Sequence, residues 1–210
     1  MKKSVKTIIA VAALVALILL TVLTSYIAKL DENGNAIIGE QAEEEVSYLD
    51  AHWEDMMAEA AANAVSLETL FTEANGDLNT VAAKYATGTG NNFTITGRAL
   101  VTDANTKSKA GYLVLKPEAD TGDYTLMLQI GTIFKGSAMR DSLTCIKFSD
   151  FDNQMEWGDV NSQITARLYE NLLKEYDMSE MIGRTVSFSG CFTLNSDSAI
   201  RITPFAFSAE

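Results

Sequence analysis

The chain has 210 residues, of which 47% are hydrophobic and 21% charged, and its formal net charge at pH 7 is -12. This composition is typical of a globular protein, and it leaves about 180 residues for one domain with an appendage once an apolar N-terminal run is removed. The acidic balance argues against nucleic-acid binding, which requires a basic surface. One histidine, two cysteines and no CxxC or HExxH motif argue against a zinc site and against common hydrolases. We therefore expect no cofactor.

The N-terminal stretch has the pattern of an export signal. Lys2, Lys3 and Lys6 precede an uncharged run at residues 7–28 that is long enough to cross a bilayer as a helix. The lysines stay on the cytoplasmic side, so the rest of the chain is predicted to be extracytoplasmic, either membrane-anchored or secreted. Residues 1–28 are thus a signal anchor or a cleaved signal peptide. The anchor is favoured because large residues occupy the cleavage positions. No cysteine lies near the end of the run, which argues against a lipid anchor.

A polar linker at residues 29–41 leads to a helical segment predicted at residues 42–88. Apolar residues there recur at steps of three and four, as on one face of a helix. Ser66 and Asp77 stand where the N-caps of a second and a third helix belong. His52 lies beside the apolar stripe of the first helix, a position typical of a surface or boundary histidine.

Beyond the turn at residues 88–92 the hydrophobic period changes from about 3.6 to 2, which indicates strands. Gly97 is predicted to mark a bulge or a close backbone approach, Asp159 to cap the last long helix, and Pro204 to lie on a local edge. The predicted elements are strands near 93–101, 112–115 and 124–130, a helix at 160–176, and strands near 186–194 and 200–203.

Three strands, a long connection with a helix, and two more strands form the element order of an OB-type barrel. The predicted fold class is therefore α+β. An N-terminal membrane helix and a helical segment precede an OB-like five-stranded β-barrel at residues 89–210, with a helix between strands 3 and 4. Sandwich-like topologies remain open, because periodicity determines elements better than their arrangement.

The connection at residues 131–160 carries the candidate binding residues, since it combines aromatic, amide and charged side chains. Arg140 either pairs with Asp150 or Asp159 to hold the loop, or donates to a carboxylate or sugar hydroxyl of a ligand. A binding surface and core packing both explain the aromatic residues: core packing is favoured for Phe148 and Phe151, and the two explanations are equal for Trp157. The candidate set is Arg140, Asp141, Asp150, Asn153, Gln154, Trp157 and Asp159.

Two further chemistries are weighed for this region. Calcium is disfavoured because Gln154 and Met155 stand where an EF-hand needs another ligand and a glycine. Paired carboxylates of the connection would suit glycoside hydrolysis if they lay at the right separation. Export also permits a disulfide between Cys145 and Cys191, although their strand-like positions do not show that they are close enough.

Several motifs together resemble one bacterial family of predicted periplasmic lipoproteins, domain of unknown function 2291. They are GSAMRDSL at 136–143, FSDFDNQMEWGDV at 148–160, the strand at 183–194, the final segment at 200–204, Trp53 in the first helix and AAKY at 82–85. The resemblance implies export, and it implies gene neighbourhoods with sugar ABC-transport systems. It brings no catalytic residue. The absence of an anchoring cysteine departs from the lipoprotein pattern.

We therefore predict a membrane-tethered extracytoplasmic accessory or binding protein without catalysis. The expected partner is an ABC-transporter component or a solute-binding protein, and nucleic acid is not expected. One alternative is a carbohydrate-active enzyme that uses carboxylates of residues 131–160. Another is a purely structural envelope protein.

Overall fold

The computed structural model describes residues 47–210, which form one compact unit. The predicted signal anchor or signal peptide, the linker and the start of the helical segment lie outside the described residues. Among residues 47–210 no helix is long and apolar enough to cross a bilayer.

Seven strands and five α-helices alternate with short 3-10 and π turns in the described part of the chain. In order they are α1 (Tyr48–Ala62), β1 (Val65–Ser66), α2 (Leu67–Ala74), a 3-10 turn (Leu78–Val81), α3 (Ala82–Tyr85), β2 (Ala86–Thr87), β3 (Asn92–Asn105), β4 (Tyr112–Lys116), β5 (Thr125–Gln129), α4 (Ala138–Asp141), a 3-10 turn (Phe148–Asp150), α5 (Gln154–Leu168), a π turn (Tyr169–Leu173), a 3-10 turn (Met178–Glu180), β6 (Thr185–Thr193) and β7 (Ala199–Ala209).

Five of these strands close into a barrel in the order β3-β4-β5-β7-β6, and β6 pairs back onto β3. The long strand β3 makes closure possible, because its first part pairs with β6 and its last part with β4. Strands β5 and β7 run parallel, and the other barrel pairs are antiparallel. This is the OB arrangement predicted from the element order, and it excludes the sandwich-like alternatives.

Glycines and bulges let the strands bend around the barrel. A Cβ on Gly97 would lie 2.9 Å from the Cβ of Leu67, so Gly97 does mark a close approach, although a side chain rather than another backbone segment makes it. The β6–β7 ladder shifts register beside Gly190, which pairs with Pro204. Strand β7 continues past the predicted end to Ala209. Because the ladder with β5 ends at Ile202, no bond on that side needs an N–H from Pro204.

The apolar residues form two clusters. The first fills the barrel and is covered by α2 through Leu67, Leu70 and Phe71. The second lies between α1, α4 and α5 and includes Met56 and Met139. The helical segment therefore packs against the barrel and the connection rather than standing apart from them.

The helix caps test the sequence prediction directly. Ser66 Oγ accepts from the Thr69 N–H at 3.0 Å, and Asp77 Oδ1 accepts from the Asn79 N–H at 3.0 Å, as predicted. The prediction for Asp159 is wrong, because α5 begins at Gln154 and Asp159 lies inside it. The first three residues of α5 are exposed, so its start has no apolar period that would indicate a helix.

Candidate functional site

The crossover, residues 130–153, connects β5 to α5 and is fastened to the barrel by Gln129. The buried side chain of Gln129 donates from Nε2 to the Lys135 carbonyl at 3.2 Å and to Thr203 Oγ1 at 3.1 Å. Its Oε1 accepts from the Lys135 N–H at 2.5 Å. Both ends of the buried amide are therefore paired, and the start of the crossover is held in one position.

Glu59 on α1 fastens the middle of the crossover. Its Oε1 accepts from the N–H and the hydroxyl of Thr144 at 2.8 and 2.7 Å, and its Oε2 accepts from the Cys145 N–H at 2.9 Å. Burial alone would raise the pKa of Glu59, but the hydrogen bonds from Thr144 and Cys145 outweigh it and hold that pKa below its usual range. Nothing in the local sequence marks Glu59, because its partners lie 85 and 86 residues away.

Arg140 joins α4 to α5. Its Nε donates to Asp141 Oδ1 at 2.8 Å, and its Nη1 donates to the Trp157 carbonyl at 3.0 Å. The guanidinium carbon lies 4.4 Å from the centre of the Trp157 ring, a cation–π distance. The predicted partners Asp150 and Asp159 are therefore wrong: Arg140 does hold the loop, but through its own neighbour and a backbone oxygen.

The turn before β3 rests on the end of α4. The Asp141 carbonyl accepts from the Thr89 N–H at 2.9 Å and from Asn92 Nδ2 at 3.1 Å. Gly88 has a φ of +62°, and a Cβ there would lie 2.0 Å from the same carbonyl oxygen. Only glycine combines this backbone conformation with so close a contact.

These contacts frame an open apolar pocket of about 300 Å³, which we call the Trp157 pocket. Phe148 stands at its edge with 49% of its surface exposed, so it is not a core residue. Its ring lies 6.3 Å from the Trp157 ring, edge to face, and Phe151 packs between Trp157 and Tyr48. The lining residues are Gly88, Thr89, Arg140, Asp141, Leu143, Thr144, Ile146, Lys147, Phe148 and Trp157.

Three of the predicted site residues, Arg140, Asp141 and Trp157, line this pocket together. The others do not. Asn153 is the N-cap of α5, where its Oδ1 accepts from two backbone N–H groups at 2.9 and 3.0 Å. Gln154 and Asp159 are exposed on the first turns of the same helix.

Asp150 is also a structural residue. It accepts from the Tyr48 hydroxyl at 2.8 Å and from the Lys147 N–H at 3.0 Å. The Tyr48 bond is the main reason that the pKa of Asp150 is lowered, while burial and then this carboxylate raise the pKa of Tyr48. His52, stacked on Tyr48, keeps the predicted boundary position with its Nδ1 2.8 Å from the Tyr48 carbonyl.

The chemistry of the Trp157 pocket is that of a binding surface. Asp141 is the one acidic residue among its lining residues, and Arg140 pairs with it. A glycosidase-type pair of carboxylates is therefore absent from the pocket. Within residues 47–210 no three His, Cys, Asp or Glu side chains converge to hold a metal ion.

The two cysteines are free thiols, so the disulfide considered from the sequence is not formed. Cys191 is fully buried, 3.6 Å from the sulfur of Met139, and burial raises the pKa of its thiol. Burial and the neighbouring Glu59 carboxylate raise the pKa of Cys145 to about 12. Both thiols are protonated at neutral pH and are poor nucleophiles.

Comparison with known proteins supports the fold and identifies a family. An OB-fold protein from Thermotoga maritima, known from its crystal structure, superimposes with a TM-score of 0.57 at 15% identity and covers 82% of this chain and 100% of its own. At this identity the likeness concerns the fold alone. No curated protein matches the chain. A family model described as "Predicted periplasmic lipoprotein (DUF2291)" matches residues 13–208, which confirms the resemblance and the extracytoplasmic, membrane-anchored location. The chain therefore belongs to the DUF2291 family of predicted periplasmic lipoproteins.

Proposed function

We propose that this protein is a non-catalytic accessory protein that binds an extracytoplasmic loop of a membrane protein at the Trp157 pocket. The observation that carries the proposal is the exposed aromatic edge of the pocket, where Phe148 stands half in solvent against the ring of Trp157. An aromatic side chain beside an open apolar pocket is typical of the energetic centre of a protein interface.

The surroundings of the pocket are already ordered. Hydrogen bonds of Glu59, Gln129 and Arg140 hold the crossover against α1, the barrel and α5, so the pocket walls do not depend on a ligand for their shape. Binding to a preformed surface costs less conformational entropy than binding to a mobile loop. This supports a docking role and leaves no acidic residue of the pocket unpaired for catalysis.

The rim of the pocket indicates the chemistry of the partner. Lys147 and Arg140 lie among its lining residues with one acid, Asp141, so the lining has an excess of one positive charge in a protein whose formal net charge is -12. Apolar walls with a basic rim fit an apolar side chain next to an acidic one. We therefore expect the bound loop to present such a pair.

The position of the pocket favours a partner in the same membrane. Tyr48, at the start of the described unit, packs on Phe151, and Phe151 packs on Trp157. The preceding residues 29–46 reach at most about 60 Å when fully extended, so a tethered protein can bind only partners within that distance of its anchor. Because the resemblance implies gene neighbourhoods with sugar ABC-transport systems, we propose that the partner is the extracytoplasmic part of a solute ABC transporter.

Photo-crosslinking of the full-length protein in native membranes tests this proposal. A photoreactive phenylalanine analogue is placed at position 148, and in a matched control at Ile182, which is 54% exposed but does not line the pocket. We expect an adduct with a transporter component from position 148 only, and loss of co-purification in Phe148→Glu. The proposal fails if position 148 gives no adduct with a transporter component, or if the control gives the same one.

A further inference from the structure

A second concave site lies between the β3–β4 loop, the end of β5 and the π turn that follows α5. Its volume is about 570 Å³, within the usual range for sites that hold small molecules. It shares no lining residue with the Trp157 pocket. We call it the lysine–tyrosine cavity after Lys107, Lys109, Tyr169 and Tyr176, which line it.

The loop that carries both lysines is hydrogen-bonded to the start of the crossover. The Lys109 carbonyl accepts from the Ile133 N–H at 2.9 Å, and the Gly111 carbonyl accepts from the Ile130 N–H at 3.0 Å. A Cβ on Gly131 would lie 2.1 Å from the Lys109 carbonyl oxygen, so only glycine permits this approach. The backbone position of Lys109 is therefore set by the residues that follow β5.

The opposite wall is aromatic and is shaped by an irregular helix end. From Tyr169 to Leu173 the chain forms a π turn, closed by a bond from the Lys174 N–H to the Tyr169 carbonyl at 3.1 Å. Such turns are rare and occur often at functional sites. Tyr176 is supported from behind by Phe207, with ring centres 4.9 Å apart, and remains partly exposed.

The charge of the cavity is opposite to that of the whole protein. Lys107 and Lys109 face one acidic lining residue, Asp177. The Oδ1 of Asp177 accepts from the N–H and the hydroxyl of Ser179 at 3.0 and 2.6 Å, so this carboxylate is engaged in capping a turn. The lining thus has an excess of one positive charge in a chain of formal net charge -12.

We propose that the lysine–tyrosine cavity binds an acidic carbohydrate, that is, a sugar bearing a carboxylate or a phosphate group. The lysines supply donors for the anionic group. The tyrosine rings supply apolar faces with a polar edge, and Ser108 and Thr132 supply hydroxyls for the sugar. This site is separate from the proposed docking surface, so either proposal can fail without the other.

Isothermal titration calorimetry on the full-length protein in detergent tests the proposal. The probes are glucuronate and glucose 6-phosphate, with glucose and inorganic phosphate as the neutral and sugar-free controls. We expect both acidic sugars to bind at least ten-fold more tightly than either control. Equal affinity for glucose or for inorganic phosphate overturns the proposal.

Two variants locate the binding. Lys107→Gln with Lys109→Gln should weaken acidic-sugar binding at least ten-fold without changing the melting temperature. Lys116→Gln, at the exposed end of β4 and outside the lining of the cavity, is the matched control and should bind as the unaltered protein does. Unchanged affinity in the double variant overturns the proposal.

A further comparison distinguishes two sources of such a ligand, an envelope polysaccharide and a free sugar acid. Trigalacturonate is compared with galacturonate on the same protein. Tighter binding of the trimer assigns the cavity to an envelope polysaccharide, and equal binding assigns it to a free sugar acid. Either result supports the proposal, whereas binding of neither compound contradicts it.

Discussion

Gly88 is the residue on which the wall of the Trp157 pocket depends most directly. Gly88→Ala would place a methyl group 2.0 Å from the Asp141 carbonyl oxygen at a φ of +62°, so both a clash and backbone strain result. We expect the free energy of unfolding to fall by about 3 kcal/mol or more. Urea denaturation monitored by tryptophan fluorescence measures it.

Gly90→Ala is the matched control for this prediction. Gly90 also has a positive φ, of +80°, but a Cβ there would meet no atom within 4 Å. It should therefore lose only about 1 kcal/mol of stability, the cost of the left-handed conformation. Equal losses in the two variants would show that the contact of Gly88 with Asp141 does not constrain the fold.

Glu59 should make stability depend on pH. Its pKa is lowered in the folded protein from an ordinary value of 4.5, so its contribution is present above about that pH. It is lost as the pH falls through the lower folded pKa. Glu59→Gln should cost about 1–2 kcal/mol at pH 7, allowing for partial exposure, and close to nothing in strong acid.

Urea denaturation at neutral and acidic pH measures this difference. Glu54→Gln is the control, because Glu54 lies exposed on the same helix α1. It should cost little at any pH. A Glu59→Gln penalty that stays constant from pH 7 into strong acid would contradict the assigned role of the carboxylate.

At the scale of elements, the start of α5 determines where the crossover ends. Asn153 caps this helix, and Asp159 lies exposed within it. Asn153→Ala should therefore lower the free energy of unfolding by about 1 kcal/mol, the usual cost of losing an N-cap. Asp159→Ala should change it by less than about 0.5 kcal/mol. Thermal denaturation measures the loss of stability in both variants. A larger loss for Asp159→Ala would contradict the assignment of Asn153 as the N-cap.

Strands and helices differed in how well the sequence indicated them. Strands β4 and β6 alternate buried and partly exposed residues along most of their length, so their period is visible in the sequence. The first three residues of α5, Gln154 to Glu156, are exposed, and a helix start without an apolar face shows no period. Its start is recognised only from the side-chain bonds of Asn153 to the backbone.

At the scale of the whole molecule, the two apolar clusters are joined. Met178 and Phe207 pack against both of them. We therefore expect one cooperative unfolding transition. Met56→Ala in the second cluster and Leu70→Ala in the first remove fully buried side chains, and each should cost about 3 kcal/mol.

Two probes check this cooperativity. Trp53 and Trp157 both pack against the second cluster, so fluorescence reports on that cluster, whereas far-UV circular dichroism reports on the secondary structure of the whole unit. The two transitions should coincide in the unaltered protein and in both variants. A fluorescence transition that precedes the dichroism transition in Met56→Ala would show that the second cluster unfolds separately.

The sequence by itself determined the order of elements, the caps at Ser66 and Asp77, the barrel class and the family, because these depend on local period, turn chemistry and motif. Only the tertiary structure decided what the candidate residues do. Arg140 binds Asp141 rather than the other acidic residues near it in the sequence, and Glu59 binds Thr144, more than eighty residues away. Binding pockets form where segments distant in the sequence meet. The distance between such segments in space cannot be predicted from the spacing of residues along the chain.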